Sequence, residues 1–540
     1  MAFFKKLLKK NRNVVILFCI VGFALYVNTF PNKMFWDDED NVLFNTYVQD
    51  WKYFPKYFTE NVVAGRGLSS NYWRPVVLMF WSLEWHLWEG WAPGYHFAQM
   101  ILHITAASLL FFALLSLFNR RVLALLAALV FLVHPVQTEA ITYATGTSDP
   151  LSSIFVFLAI IFYLRFRRSG KPFFSSRSYW VALLIYPILL MTRETTIILI
   201  AQLALVDFVF LCQKQASSFL TLFKKISIPL SPHILVASFY LLLRGTVLNF
   251  QNTFNIYEEQ NEFTVNPIFR LFTFFRVVSM YIQTLFWPFG LHMEREVEIA
   301  KSLFAPDVLS GGILLLGSLI LLLIFAWKYE PKYSIPLFGI AWLWFGLFPT
   351  SNLIIPVNGL MFEHWLYLPI MGFALTLIWL AYRAIQTAPV PQSISLPSFL
   401  FLYLLLLLFF SVRTIQRNKE WRDPVTFYNQ VLEYSPNSYR IVNNLGMAYA
   451  DKNDHMKAEE TYKRAISLQP SNAVAHHNLG NTYKGQGKYD LAAEEFKTAI
   501  KLQPDFFFSY NALADLYLRQ GNPEAAREVL NEIKHIDPSL

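Results

Sequence analysis

The chain is poor in charge and in cysteine. Only 15% of its 540 residues are Asp, Glu, Lys or Arg, against about 25% in ordinary soluble domains. With 55% hydrophobic and 17% aromatic residues and a mean hydropathy of +0.36, that deficit excludes a soluble globular protein and indicates a multi-span membrane protein. Its two cysteines, Cys19 and Cys212, each lie inside an apolar run. They supply neither a disulfide framework nor metal-ligand spacing. No clear small-residue cleavage site follows the first apolar run, 14–30, which is therefore read as an uncleaved span rather than a signal peptide. The net charge of +8 does not point to nucleic acid. Lys and Arg fall in short runs between apolar segments, as they do where they hold loops on the cytoplasmic side.

Eleven spans are expected: 14–30, 94–118, 122–133, 150–164, 179–191, 195–211, 226–243, 309–327, 335–348, 364–382 and 396–412. Basic residues precede or separate them at Lys5, Lys6, Lys9, Lys10 and Arg12, at Arg120-Arg121, at Arg165, Arg167, Arg168 and Lys171, and at Lys214, Lys224 and Lys225. That distribution predicts a cytoplasmic N-terminus and an extracytoplasmic C-terminus. The segment 267–290 carries Arg270 and Arg276 and ends Trp287-Pro288-Phe289-Gly290. It is read as an interfacial helix on the outer face, because a span there would put Lys328 and Lys332 outside. The first outer loop is rich in Trp, Tyr and Phe, residues that favour the headgroup level.

From about Arg417 the composition turns soluble and helical. Pro436, Pro470, Pro504 and Pro538 recur every 34 residues, as do Leu445, Leu479 and Leu513, Tyr449, Tyr483 and Tyr517, and Ala458, Ala492 and Ala526. This is the tetratricopeptide pattern, a helix–turn–helix with small residues where paired helices touch. The expected architecture is all-α: a polytopic helical membrane domain over 1–413, a junction with a half-repeat helix over 414–436, and a repeat α-solenoid over 437–540. The three repeats are 437–470, 471–504 and 505–538. Solenoids of this kind bind extended peptides in their concave groove.

Just after the first span stands Trp36-Asp37-Asp38-Glu39-Asp40. A carboxylate at the bilayer centre costs at least about 2.5–3.5 kcal/mol, so this cluster belongs at the interface or in a wet cavity. The other outer loops also present ionisable groups: Arg74; His134, Glu139 and Asp149; Arg193 and Glu194; Arg270 and Arg276; Glu363 and His364. Such a ring suits a substrate with an anionic headgroup and a hydroxyl to be activated. Transfer from a polyprenyl-phosphate sugar needs a carboxylate to take the acceptor's proton and cations for the departing phosphate. Asp37 or Asp38 fits the first role. Arg74 fits the second, with Arg193 and Arg276 behind it, since a guanidinium forks phosphate oxygens. Asp40, His134, Glu139, Asp149, Glu194, Glu363 and His364 complete the polar site. Asp37, Asp38, His134 and Glu139 lack the tight histidine spacing of a specific metal site.

These motifs together resemble the transmembrane and tetratricopeptide repeat-containing O-mannosyltransferases. Trp36-Asp37-Asp38 with Asn45 resembles their first luminal loop. Tyr72-Trp73-Arg74-Pro75 is similar to their Tyr-Arg-Pro with a tryptophan inserted. Gly94-Tyr95-His96 with Leu102-His103 matches the following span. His134-Pro135-Val136-Gln137-Thr138-Glu139-Ala140 has glutamine where a second histidine is usual. Gly146-Thr147-Ser148-Asp149 lacks an arginine, Arg193-Glu194 stands for Lys-Glu, and Glu363-His364 with Leu366-Tyr367-Leu368-Pro369 has histidine for arginine. Asn418 with Trp421-Arg422-Asp423 matches the junction before the repeats.

The resemblance implies the GT-C glycosyltransferase fold, a polyprenyl-phosphate sugar donor and no cofactor, since monophosphate-linked donors generally need no metal. It also implies a catalytic Asp in the first outer loop, placed here on Asp37 or Asp38. The short repeat array looks like that of a prokaryotic relative, with undecaprenyl phosphate in a plasma membrane. The expected function is inverting transfer of a hexose, mannose among the candidates, to a protein Ser or Thr held by the repeats. The expected partners are membrane lipid, donor and protein acceptor, without nucleic acid. Two alternatives stand beside it: transfer to a lipid-linked glycan or envelope polymer, and a non-catalytic membrane scaffold that assembles partners through the repeats.

Overall fold

A computed structural model describes residues 10–212, 219–250, 261–328, 331–357, 359–387 and 392–536. Lys5, Lys6, Lys9, Lys214, the centre of the 249–266 loop and Pro538 lie outside the described residues. The chain divides into two compact units, Met1–Trp421 and Arg422–Leu540.

The longer helices of the first unit are α1 (Asn11–Tyr26), α2 (Pro75–Trp88), α3 (Ala92–Phe118), α4 (Arg121–Val133), α5 (Ser148–Ser169), α6 (Arg177–Leu190), α7 (Leu199–Cys212), α8 (Phe219–Gly245), α9 (Pro267–Phe286), α10 (Pro306–Lys328), α11 (Ser334–Leu347), α12 (Ile370–Thr387) and α13 (Gln392–Glu420). Among the described residues, nine helices are long and apolar enough to cross a membrane, or ten if one bent pair is a single span. The protein is a multi-pass membrane protein. The bent pair joins α4 to Pro135–Thr142 at 54°. Its cause is Pro135, which cannot continue the hydrogen-bond ladder, so His134 ahead of it is extended at φ −70, ψ 128. Two further segments expected as spans are shorter apolar helices, Arg177–Leu190 and Ser334–Thr350. A 14-residue helix such as α6 reaches about 21 Å, less than a bilayer core of about 30 Å.

Hydrogen bonds between helix ends fix which termini share a side. Asn28 and Asn32, just past α1, donate to Ile415 O at 2.9 Å and Asn418 O at 3.0 Å near the end of α13. Thr142 donates to Asn418 Oδ1 at 2.7 Å, and Trp421 packs on Phe35 and Tyr143. We call this the site end. The opposite end is marked by Arg167, which pairs with Asp207 and donates to Lys225 O.

Helix α9 has the length of a span, but its hydropathy of 1.2 is the lowest of the nine. Several of its contacts lie at the site end, and it also packs closely on α10, where a Cβ on Gly311 would meet Phe275 O. Arg270 and Thr273 share a cleft with Ser351 and Asn352, Tyr281 donates to Phe362 O, and Leu285 O meets His134. The sequence reads 267–290 as an interfacial helix; by length and composition Pro267–Phe286 is one of the nine helices that could cross a membrane. Where α11 and α12 cross, Gly339 and Gly372 face each other. A Cβ on Gly372 would lie 2.2 Å from Gly339 O, and one on Gly339 would lie 2.6 Å from Gly372 O. Such small-residue contacts let helices approach in lipid.

The second unit opens with α14 (Pro424–Tyr434) and continues as three antiparallel pairs: α15 (Tyr439–Asp451) with α16 (His455–Leu468), α17 (Ala473–Gly485) with α18 (Tyr489–Leu502), and α19 (Phe507–Arg519) with α20 (Pro523–Ile536). The recurring residues form the pair contacts. Gly446 seats the Tyr462 ring and Gly480 the Phe496 ring, where a Cβ would come within 2.6 and 2.7 Å. Ala458 and Ala492 are fully buried, and Asp423, Ser438, Asp454 and Asn472 cap helix N-termini.

Candidate functional site

The first loop is held in an irregular path. Trp36 takes φ 60, a left-handed conformation that non-glycine residues rarely adopt, and Glu39–Leu43 forms a single π turn. This path sends Asp37 and Asp38 to different environments. Asp38 is 1% exposed. One of its oxygens accepts from Phe35 N at 3.1 Å and the other from Thr145 N at 2.9 Å. The side chain ties the loop to the turn after α4. Burial pushes the Asp38 carboxyl up to about 7, against those hydrogen bonds and with the Asp37 charge adding to the rise. Asp37 is solvent-exposed, and the Tyr143 hydroxyl lies in the field of both carboxylates.

A first polar group gathers around Arg74. Arg74 forks Glu194 through Nε at 3.0 Å and Nη2 at 2.6 Å, and its guanidinium lies 4.3 Å from the Tyr72 ring centre. The next residue back, Arg193, pairs with Asp149 and donates to Thr195 Oγ1. Tyr72 joins this group to the acidic loop, because its hydroxyl feels Arg74, Glu194, Arg193 and Asp37 together. Four residues singled out in the sequence, from three separate stretches, thus form one cluster.

A second group lies where the turn after α4 meets the 351–369 loop and α13. Glu139 accepts from the His364 ring at 2.7 Å and from the His364 backbone at 3.1 Å. Glu363 is fully buried. It accepts from His292 N at 2.6 Å and Arg295 at 2.9 Å, with Arg417 at 3.6 Å. Arg417 also meets Glu420 at 2.5 Å.

Three predicted residues sit elsewhere. His134 is fully buried; Nε2 meets Leu285 O at 3.0 Å and Nδ1 accepts from Val136 N at 3.2 Å. Nδ1 serves the break between the two helices and Nε2 ties it to the end of α9. Arg276 pairs with Asp307 at 2.6 Å and donates to Glu298 O. Asp40 makes a surface pair with Arg66 at 3.2 Å.

Tyr72, Tyr143, Arg295, Arg417 and Glu84 were not among the predicted site residues. Glu84 is 2% exposed on α2, and among the described residues neither carboxyl oxygen has a hydrogen-bond partner. Burial, with Asp38 nearby, holds its carboxyl well above the usual carboxylate range. One sequence signal marked it: a single acid inside Met79-Phe80-Trp81-Ser82-Leu83-Glu84-Trp85. Among the described residues no three His, Cys, Asp or Glu side chains converge to hold a metal ion.

Fold and site together define a polytopic, all-helical membrane protein that ends in tetratricopeptide repeats. Residues 477–540 match the family model described as Tetratricopeptide repeat, and residues 446–487 match TPR repeat. Among curated proteins the chain is similar to several named protein O-mannosyl-transferase. Protein O-mannosyl-transferase TMTC3 of Homo sapiens is 27% identical over 430 residues, covering 74% of this chain and 45% of that protein. Protein O-mannosyl-transferase F38B6.6 of Caenorhabditis elegans is 25% identical over 472 residues, covering 85% and 63%. Tmtc2 of Drosophila melanogaster is 30% identical over 215 residues, covering 37% and 22%. The chain thus spans about half the length of the human relative. Among solved structures, the crystal structure of MamA aligns at a TM-score of 0.20 and 23% identity, over 20% of this chain and 63% of MamA. That likeness is too slight to bear on function.

Proposed function

We propose that this chain is a membrane glycosyltransferase of the GT-C type, which moves a hexose from a polyprenyl phosphate to a protein Ser or Thr hydroxyl at the site end. Mannose is the first candidate, because the curated relatives are named O-mannosyl-transferases. The observation that carries the reading is the division of labour between neighbouring carboxylates. Asp38 is buried and held by two backbone N–H groups, while Asp37 is exposed beside the Arg74–Glu194 and Arg193–Asp149 pairs.

In this mechanism Asp37, which shares the electrostatic surroundings of Tyr72 with Arg74 and Glu194, takes the proton of the acceptor hydroxyl as its oxygen attacks the anomeric carbon. The bond from that carbon to the phosphate oxygen breaks, and the phosphate leaves with the electron pair. A single displacement inverts the anomeric centre. Arg74 stays charged because Glu194 pairs with it, and Nη1 is not engaged by that carboxylate. A guanidinium edge of this kind stabilises the developing phosphate charge. Asp38 fixes the loop so that Asp37 is presented at constant geometry. The repeats select the protein acceptor, the N-terminus is cytoplasmic, and the site end is extracytoplasmic.

The test uses the full chain in lipid nanodiscs with a panel of polyprenyl-phosphate and polyprenyl-diphosphate sugars. The expected result is thermal stabilisation by one monophosphate sugar and slow single-turnover hydrolysis that Asp37→Asn abolishes. Absence of binding across the panel would overturn the enzyme reading in favour of a scaffold.

A further inference from the structure

Arginines at the site end are mostly neutralised. Arg74, Arg193, Arg276, Arg295 and Arg417 each face a carboxylate. Arg270, at the start of α9, does not. Among the described residues its guanidinium meets no carboxylate, and its Nε is buried without a hydrogen-bond partner. A buried donor left unpaired is costly, so the site calls for an acceptor.

The surroundings say what kind. Arg270 lines a cleft with Phe263, Thr273, Ser351, Asn352 and Leu360. The cleft wall is fixed: Asn352, at φ 60, accepts from Val357 N at 2.6 Å, and Thr273 accepts from Ala300 N at 3.0 Å. Next to its lining residues along the chain are exposed aliphatic side chains, Val265, Ile268 and Leu271 by Arg270 and Ile354 and Ile355 by Asn352. A free anion gains nothing from such a rim, whereas the chains of a lipid do. The cleft lies at the start of α9 beside Ser351 and Asn352, and at a membrane interface basic and apolar side chains meet headgroups and acyl chains respectively. Fifteen residues, about 22 Å of helix, separate Arg270 from Leu285 at His134. Arg270 belongs to neither polar group of the candidate site.

We propose that the Arg270 cleft is a lipid site that holds the phosphate of an anionic phospholipid headgroup, with the guanidinium on the phosphate oxygens and the aliphatic rim on the acyl chains. The single uncompensated positive charge matches a headgroup of net charge −1 rather than a zwitterion. Such a lipid pins α9 to the membrane surface beside the site.

The full chain, purified in detergent with phosphatidylglycerol or phosphatidylcholine, is examined by native mass spectrometry. The wild type is expected to retain one phosphatidylglycerol more than Arg270→Gln, and the variant's affinity for it to fall at least about tenfold, the loss of a charge-assisted contact. Arg270→Lys, which keeps the charge, should retain most of the bound lipid. Equal retention by wild type and Arg270→Gln would overturn the proposal. So would displacement by excess inorganic phosphate, which makes this a free-anion site, or preferential retention of a polyprenyl phosphate, which makes it part of the donor site. Thermal unfolding of each variant separates lost lipid from lost fold. If Arg270→Gln is misfolded, the lysine variant alone decides, and loss of the lipid there, with the fold intact, also overturns the proposal.

Discussion

Replacing Asp37 and Asp38 separately by asparagine should give two different defects. Asp37 is exposed, so Asp37→Asn leaves the loop in place and the melting temperature unchanged. It removes the proposed base, and a general base contributes about 10²–10⁴ in rate, or roughly 2.7–5.5 kcal/mol of barrier. Asp38→Asn acts on the fold. Both Asp38 oxygens receive backbone N–H groups, at 3.1 and 2.9 Å. An asparagine presents one oxygen and one NH₂, so the N–H of Phe35 or of Thr145 must face another donor. Leaving one such buried donor unsatisfied costs about 1–3 kcal/mol. The assay pairs single-turnover transfer with thermal unfolding in nanodiscs. Expected are a rate loss of at least about a hundredfold at unchanged melting temperature for Asp37→Asn, and a lowered melting temperature for Asp38→Asn. A folded Asp38→Asn that is dead beside an active Asp37→Asn would refute the assignment and move the base to Asp38.

The raised Asp38 pKa adds a pH signature. A carboxyl that folds at about 7 from an ordinary 3.8 stabilises fully below 3.8, and that contribution is lost as pH rises through 7. The wild type should therefore lose on the order of 4 kcal/mol between those limits relative to Asp38→Asn, read from unfolding curves across the range; parallel curves would contradict it. Gly339→Val should prevent the close approach of α11 and α12 and destabilise by about 1–3 kcal/mol, measured as a drop in melting temperature. Arg74→Lys breaks a bidentate pair with Glu194 and should lower kcat/KM for the donor while the fold persists. Deletion of 437–540 should weaken transfer to acceptor more than donor hydrolysis, and equal loss of both would mean that the repeats serve stability alone.

Apolar runs and the 34-residue register located nearly every helix, because burial and pairing impose periods that a sequence displays directly. They also located the acids and bases of the site end, since charge at the edge of an apolar run needs a reason. The partners were not legible. That Arg74 meets Glu194, and Glu139 meets His364, depends on contacts between stretches 120 and 225 residues apart. Nor could adjacent Asp37 and Asp38 be told apart. Their environments diverge, Asp37 exposed and Asp38 buried, on a loop whose path is set by the φ of 60 at Trp36. His134 looked like a site residue because it is polar at a span end. In the structure that same position makes it the link between a broken helix and Leu285.

Sidedness follows from contacts where counting spans is ambiguous. Helix α9 passes as a span by length, and counting it would reverse the side on which the repeats emerge. Hydrogen bonds remove that dependence. The end of α1 is bonded to the end of α13 through Asn28, Asn32 and Asn418, so Trp421 leaves the membrane unit on the side that bears Asp37, however α9 is scored. Single cysteines in a chain lacking Cys19 and Cys212 test this. Lys52→Cys in the first loop and Lys457→Cys in the repeats replace side chains that are 65% and 60% exposed, and Lys171→Cys marks the exposed turn after α5. A membrane-impermeant maleimide applied to sealed vesicles should label positions 52 and 457 together, and position 171 only after permeabilisation, or the reverse in vesicles of opposite orientation. Labelling of 52 and 457 from opposite sides would show that the α1–α13 bonds do not exist in the membrane. The exit of the chain at Trp421 on the side of the proposed base would fall with them.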